Sequence, residues 1–234
     1  MKVVALIPAS MGTGEPSSAP LREVAGKPLI GYVLDRLAKV DKLAGVIVAT
    51  TPMASDDSIQ NYCRSRATRC FRGERDDVLG RILAALKAVE AKAGLVVHPE
   101  GPLIDPAIID HVANLIEMTD GMVDWVGNTL SRTYPHGMEV EAFTVAALEE
   151  ASRRCDDPTQ RRQGLHFLRQ NSRFYRLLSI TAPAELHRPE VGLHAVKNMP
   201  AIEAVVDYFG GGTDVTLGDM IAFLDANPDA TRPA

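Results

Sequence analysis

Val3-Val4-Ala5-Leu6-Ile7-Pro8-Ala9 runs into Ser10-Met11-Gly12-Thr13-Gly14, and after a Pro- and Ser-containing segment the chain reaches Ala25-Gly26-Lys27-Pro28-Leu29. Five consecutive apolar residues, three of them β-branched, predict a strand buried on both faces, as in a parallel sheet. A glycine-containing loop directly after the first such strand is where doubly wound α/β folds bind phosphates. Backbone N–H groups and a helix N-terminus suit an anion there. Leu29, Ile30, Val33, Leu34 and Leu37 then recur at helical spacing, with Pro28 suited to the first turn. The glycine spacing is not a dinucleotide fingerprint. Lys27 is followed by Pro28, not Ser or Thr, so the loop is not a Walker loop either.

The alternation continues outward from this unit. Residues 46–50, 69–71 and 95–98 read as further buried strands. Between them, Asp56-Asp57 begin a helix toward Arg64, and Asp77 can cap a helix carrying Val78, Ile82, Leu86 and Val89. Asp105-Pro106 is a strong helix start, a carboxylate cap followed by proline at the first helical position. Strands alternating with helices imply an α/β fold, a mostly parallel sheet with helices on both faces. The rhythm changes after Met122: residues 124–126, 138–143 and 175–180 read as strands, 144–154 as a helix, and Asp157-Pro158 as the start of a helix to about Arg169. The region at about 128–187 is therefore expected to form an arm on a single domain spanning 1–234. A triple-glycine hinge at 210–212 precedes a closing helix that starts at Thr216 and ends at Asn227-Pro228.

A net charge of −5 argues against a nucleic-acid backbone binder while leaving room for a local basic pocket. No run approaches the roughly 20 apolar residues of a membrane helix, and Met1-Lys2 leads into a short strand, not a signal-length apolar segment. Cys63, Cys70 and Cys155 match no zinc spacing and read as reduced thiols of a cytoplasmic protein. The histidines His98, His136, His166, His187 and His194 read as ordinary hydrogen-bonding groups, with His98 alone, two residues before Glu100, where a shared cation is conceivable. Trp125 and Phe143 read as packing aromatics.

Several motifs carry a sharper signal. The stretch from Ala9 aligns without a gap to A-R-M-G-S-T-R-L-P-G-K, followed by A-G-K-P-L at Ala25 to Leu29. Residues 72–81 (R-G-E-R-D-D-V-L-G-R) follow R-G-S-E-D-D-V-L-G-R, and Pro102 to Pro106 follow the tail of G-D-C-P-L-I-D-P. Residues 128–141 (N-T-L-S-R-T-Y-P-H-G-M-E-V-E) follow N-T-L-x-R-T-Y-P-D-G-L-D-V-E. Across essentially its whole length the chain resembles the sugar-acid cytidylyltransferases, of the acylneuraminate and spore-coat polysaccharide types.

That resemblance implies a nucleotide-diphospho-sugar transferase-like, Rossmann-like fold and the reaction of CTP with an acidic sugar to give a CMP-sugar and pyrophosphate, in polysaccharide or glycan biosynthesis. It implies Mg²⁺ as cofactor and a homodimer paired through the arm, with residues 138–143 and 175–180 building the interface. It assigns Ala9, Met11, Gly12, Thr13 and Arg81 to the nucleotide, Lys27 and Glu100 to catalysis, Glu100 also to the metal, and Asn128, Arg132, Tyr134 and Glu141 to the acceptor. Some charged positions depart from the pattern. Ser10, Glu15 and Ala19 replace two arginines and a lysine, Glu100 replaces an aspartate, and Lys197 falls where a second metal-binding carboxylate belongs. Of the motif R-E-H-V-T only the first arginine, Arg161, is kept. Two readings stay open: a cytidylyl-transferring enzyme, or a non-catalytic descendant that binds a sugar or nucleotide as a regulatory subunit.

Overall fold

The first strand, β1 (Val3–Pro8), shows how the sheet is covered. Val3, Ala5 and Ile7 pack into one hydrophobic cluster and Val4 and Leu6 into another, the two-residue period of a strand with apolar layers on both sides. The computed structural model describes residues 3–12, 20–188 and 191–231. After β1 come a small hairpin, β2 (Glu23–Val24) and β3 (Lys27–Pro28), then α1 (Leu29–Leu37), β4 (Leu43–Thr50), α2 (Asp57–Ser65) and β5 (Arg69–Arg72). The hairpin turns at Ala25 and Gly26, both at positive φ (48° and 74°), which explains a glycine before Lys27. Next are α3 (Val78–Lys87), β6 (Ala93–Val96), α4 (Pro106–Met118), β7 (Trp125–Gly127), β8 (Glu141–Thr144) and α5 (Val145–Arg154). The chain ends with α6 (Pro158–Arg162), α7 (His166–Gln170), β9 (Leu177–Ser179), α8 (Met199–Tyr208) and α9 (Leu217–Ala226).

Among the described residues seven strands form one sheet in the order β5-β4-β1-β6-β8-β7-β9. Every neighbouring pair is parallel except the two made by β8, which is antiparallel to β6 and β7. The mostly parallel Rossmann-like sheet expected from the sequence is therefore present. The chain leaves β1 toward β4 and β5, then returns to add β6 on the other side of β1. That reversal opens a crevice at the carboxyl ends of β1 and β6, the usual ligand position in such sheets.

Local signals account for the element boundaries. Asp77 accepts the Gly80 N–H at the start of α3, and Asp105 accepts the Ala107 N–H at the start of α4. The second oxygen of Asp105 takes the Leu217 N–H at 2.6 Å, joining the starts of α4 and α9. Thr216 and Asp219 form a reciprocal capping box.

Two expectations are corrected. The single helix from Asp157 to Arg169 is two short helices, because Gly164 turns to φ +61° and ends the first. Residues 138–143 do not offer a subunit interface. Met138, Val140, Ala142 and Phe143 are fully buried in this chain's own core, and β8 is paired on both edges. β9 is the last strand of the sheet, so the 175–180 segment lies at a sheet edge.

Candidate functional site

A cleft of about 730 Å³ opens at the carboxyl ends of the central strands. One wall is the turn after β6, where Val97, His98, Glu100 and Gly101 line it. The segment after β7 contributes Thr129, Leu130 and Arg132, the approach to β8 contributes Gly137, Glu139 and Glu141, and α7 contributes His166, Arg169 and Gln170. His194 and Val196 close it from the loop before α8.

Backbones are pressed together to make this cleft. A Cβ on Gly101 would overlap the Gly137 carbonyl, and one on Gly137, at φ +97°, would overlap the Leu193 carbonyl. Hydrogen bonds run alongside: His136 donates its N–H to the Val191 carbonyl at 3.0 Å, Leu193 donates to the His136 carbonyl at 2.7 Å, and Ala195 donates to the Glu100 carbonyl at 2.7 Å. Three loops from separate parts of the sequence are thus fixed relative to one another.

Asn128 sits behind the cleft and is buried. Its Nδ2 donates to the Met138 carbonyl at 2.6 Å and its Oδ1 accepts the Val140 N–H at 2.9 Å. Both ends of the amide therefore hold the strand approach that carries Glu139 and Glu141. Tyr134 is also largely buried, and its hydroxyl reaches the Thr181 carbonyl at 3.5 Å. Neither lines the large cleft.

Glu141 does line it. Trp125 donates its indole N–H to one oxygen at 3.0 Å, and Arg169 donates to the other at 2.6 Å. Burial pushes the Glu141 carboxyl up, opposed by the Arg169 charge and the Trp125 hydrogen bond. Arg169 also reaches the Thr129 hydroxyl at 3.3 Å. Among the described residues Glu100 has no such side-chain partner. Burial raises its pKa, and only its own backbone N–H pulls the other way. His98 faces the cleft with an exposed side chain, and desolvation by the surrounding walls lowers its pKa.

The loop after β1 emerges at the same end of the sheet, since β1 and β6 are parallel neighbours and Val97 donates to the Leu6 carbonyl. Asp56 anchors it. One oxygen accepts the Met11 N–H at 2.7 Å, and the other accepts the Thr50 hydroxyl, the Thr51 hydroxyl and the Thr51 N–H. Burial alone would raise the Asp56 pKa; these four hydrogen bonds outweigh it and hold the group below the usual carboxylate range. Ala9 donates its N–H to the Ala49 carbonyl. Gly12, at φ +51°, donates to the Ser10 hydroxyl at 3.1 Å. Thr13, Gly14, Glu15 and Ala19 lie outside the described residues.

The other predicted residues sit away from the cleft lining. Lys27 pairs with Asp35 on α1, which also holds Arg66, and its ammonium lies 4.5 Å from the Tyr32 ring centroid. Arg81 is buried, and its guanidinium donates to the Glu74 and Arg75 carbonyls at 2.8 and 3.2 Å. Arg161 pairs with the helix cap Asp77 at 2.6 Å and donates to the Ser152 and Cys155 carbonyls. The structure therefore brings Glu100, Arg132 and Glu141 into one cleft, with Asn128 and Tyr134 behind it. His98, set apart in the sequence for its closeness to Glu100, lines it too; Arg169, Glu139, Thr129, His166 and His194 also line it and were not singled out from the sequence. Thr129 and Glu139 lie inside the N-T-L-to-V-E motif and were findable there, whereas nothing local marks Arg169.

Among the described residues no three His, Cys, Asp or Glu side chains gather to hold a metal. Glu100 offers one unpaired carboxylate, which suits Mg²⁺ only when substrate phosphates and water fill the remaining positions. Lys197 does not fit a metal: its ammonium lies 3.1 Å from the His136 ring nitrogens. No helix among the described residues is long and apolar enough to cross a membrane.

A mostly parallel sheet of this order, with a cleft at the carboxyl ends of its strands, is a Rossmann-like α/β fold. The chain matches the cytidylyltransferase family over residues 4–205 and belongs to it. It is 23% identical to the spore coat polysaccharide biosynthesis protein SpsF of Bacillus subtilis, over 97% of this chain and 96% of that one. It is 33% identical to the 3-deoxy-manno-octulosonate cytidylyltransferase of Geobacter sulfurreducens, over 50% of this chain and 46% of that enzyme. A cytidylyltransferase structure from Leptospira borgpetersenii superposes with a TM-score of 0.92 at 24% identity, covering 100% of this chain and 98% of the other.

Proposed function

We propose that the chain transfers a cytidylyl group from CTP to a sugar acid or related acidic sugar and releases pyrophosphate. The acceptor hydroxyl oxygen bonds to the α-phosphorus of CTP as the bond to the bridging oxygen of the leaving pyrophosphate breaks, and the hydroxyl proton is lost. The observation that carries this reading is the position of the cleft. It opens at the carboxyl ends of β6 and β7, at the same end of the sheet as the loop after β1, in a chain of the cytidylyltransferase family.

The loop Ala9, Met11 and Gly12, with Thr13 beyond it, serves the nucleotide in this reading. An arriving phosphate would take the Gly12 N–H from the Ser10 hydroxyl, an exposed bond that water or an anion replaces at little cost. Lys27 would swing from Asp35 toward the phosphates, and Arg81 would hold the 74–75 turn. Glu100 would hold Mg²⁺ together with the triphosphate, and when bound that ion supplies neutralisation of charge on the phosphoryl oxygens. The acceptor takes the cleft, where Arg132, Glu141 and the Arg169 beside it orient hydroxyls and acid groups, while Asn128 and Tyr134 keep that wall in place. A cytoplasmic protein with reduced thiols, and a homodimer joined at the β9 edge, complete the reading.

The test is pyrophosphate release with CTP, Mg²⁺ and a panel of sugar acids, alongside calorimetric titration of CTP with and without Mg²⁺. Mg²⁺-dependent CTP binding and acceptor-dependent pyrophosphate release are expected. Sugar-acid binding with no pyrophosphate release from any panel member would favour the non-catalytic alternative.

A further inference from the structure

At the edge of the cleft, where Arg132 lines it, two cations and one carboxylate gather around a single histidine. Arg132, from the segment after β7, contacts both ring nitrogens of His136. Lys197, from the loop before α8, lies 3.1 Å from the same two nitrogens. Two cations thus converge on one imidazole. Glu139 is the acid beside them, with one oxygen 3.4 Å from His136 Nδ1 and the other accepting the Gly137 N–H at 2.7 Å. Neither Arg132 nor Lys197 forms an ion pair with a carboxylate among the described residues.

The arrangement is built into the fold. His136 and Gly192 form a parallel bridge, flanked by the bonds to Val191 and from Leu193. Gly137 has no room for a Cβ against Leu193. These contacts hold the Arg132 and Lys197 segments together although like charges oppose it. The same repulsion, after burial, lowers the His136 pKa against the opposing pull of Glu139, which disfavours a third charge between the cations. The sequence agrees with the geometry. His136 and Lys197 both stand where the motif pattern has a carboxylate, and the structure puts those two departures in contact.

We propose that Arg132 and Lys197, spaced by His136, form an oxyanion subsite that binds the acid group of the acceptor, a carboxylate or a phosphate. The subsite rests on the transferase reading for its place in the reaction but not for its chemistry. A guanidinium presents two parallel N–H donors to either oxyanion, and the ammonium adds a point charge. The phosphates of CTP are the other source of oxyanions. Arg132 leaves the sheet after β7, three strand positions from β1, and the CTP arm of the titration below separates the two sources. Acceptors with no acid group would leave the two cations uncompensated, so the subsite selects acidic sugars over neutral ones.

Calorimetric titration of the full chain in phosphate-free buffer tests this, using inorganic phosphate, glucuronate, glucose and CTP as separate probes. Wild type should bind phosphate at one weak site that glucuronate competes for and glucose does not. Arg132→Gln and Lys197→Met should each weaken phosphate about tenfold or more and leave CTP affinity within about twofold. Lys197→Met should also raise the His136 pKa, read from its ring resonances, because a neighbouring positive charge is gone. Phosphate that does not bind, or binds equally to both variants, overturns the proposal. So does a matching loss of CTP affinity, which would give the cations to the nucleotide. If CTP fails to bind while phosphate binding still depends on Arg132 and Lys197, the transferase reading fails and the subsite stands.

Discussion

Asp56→Asn isolates the tie between the fold and the loop after β1. Asp56 is fully buried and accepts five hydrogen bonds, from the Met11 N–H at 2.7 Å, the Thr51 hydroxyl at 2.5 Å, the Thr50 hydroxyl at 3.0 Å, the Thr51 N–H at 3.2 Å and, longest, the Ser55 hydroxyl at 3.5 Å. An asparagine has one oxygen where the aspartate has two. The threonine hydroxyls can rotate and accept from its NH₂, but the two backbone N–H groups cannot. Whichever way the amide turns, one N–H faces a donor. Losing one charge-assisted bond and leaving a buried donor unmet costs about 2–4 kcal/mol. For a chain of this size that lowers Tm by about 5–15 °C. If the Met11 N–H is the one released, the loop loosens and CTP binds more weakly.

The assay is a thermal melt of wild type and variant from pH 3 to pH 8, with CTP titrated at pH 7. The pH dependence has a definite sign. Asp56 is held below its unfolded value of about 3.9, so its contribution is full above that pH and fades as pH falls through the lower native value. The gap between the two proteins should be flat through neutrality and narrow only in strong acid. The control is Asp57→Asn, whose exposed carboxylate pairs with Arg72 at 2.6 Å, and which should cost no more than about 1 kcal/mol. An Asp56→Asn protein melting within about 2 °C of wild type, with CTP affinity intact, would refute the reasoning.

Other variants probe the rest of the site. Asn128→Ala leaves the Met138 carbonyl and the Val140 N–H unmet, and should lower stability by about 2–3 kcal/mol while raising acceptor KM more than CTP affinity changes. Gly137→Ala forces both a positive φ and an overlap with Leu193; it should cost more than about 2 kcal/mol by thermal melt and abolish acceptor binding. Arg169→Met strands the buried Glu141 charge and should cost about 3 kcal/mol, more than Glu141→Gln, which removes that charge and keeps one oxygen to accept from either Trp125 or Arg169; chemical denaturation gives the order. Lys27→Met should weaken CTP binding in calorimetry and leave the melt nearly unchanged, because Asp35 retains Arg66.

Features of the fold that rest on adjacent residues were legible. The apolar run of β1, the caps Asp77, Asp105 and Thr216, and the Ala25-Gly26 turn each carry their cause within a few residues. What was not legible depends on pairings across the chain. β8 enters the main sheet because residues 141–144 find both β6 and β7, and nothing in those four residues marks an inserted antiparallel strand rather than an arm. The same holds for charge. Arg161 and Arg81 are kept from the motifs, yet the structure spends them on Asp77 and on backbone carbonyls, partners 84 and 7 residues away. A motif identifies a side chain, but only the fold shows what it touches.

The distribution of cations along the sheet edge bears on whether CTP can be accommodated. Arg81 is buried and satisfies two carbonyls, so moving it would strand both. Lys27 differs. Its pair with Asp35 is partly solvated, and such pairs are worth about 0–1 kcal/mol. When Lys27 leaves, Asp35 still holds Arg66, so no carboxylate is left unpaired. A triphosphate offers Lys27 more charge than one shared carboxylate does. The ion pair seen here is therefore no obstacle to nucleotide binding, and Lys27 is the cation free to move while Arg81 keeps its place. On the acceptor side the relation is reversed. Arg132 and Lys197 lack a carboxylate among the described residues and stand ready for an anion. Charge on this edge is thus held in exchangeable form near β1 and in uncompensated form where the segment after β7 meets the loop before α8, an order that suits the proposed meeting of an acidic acceptor with a nucleotide.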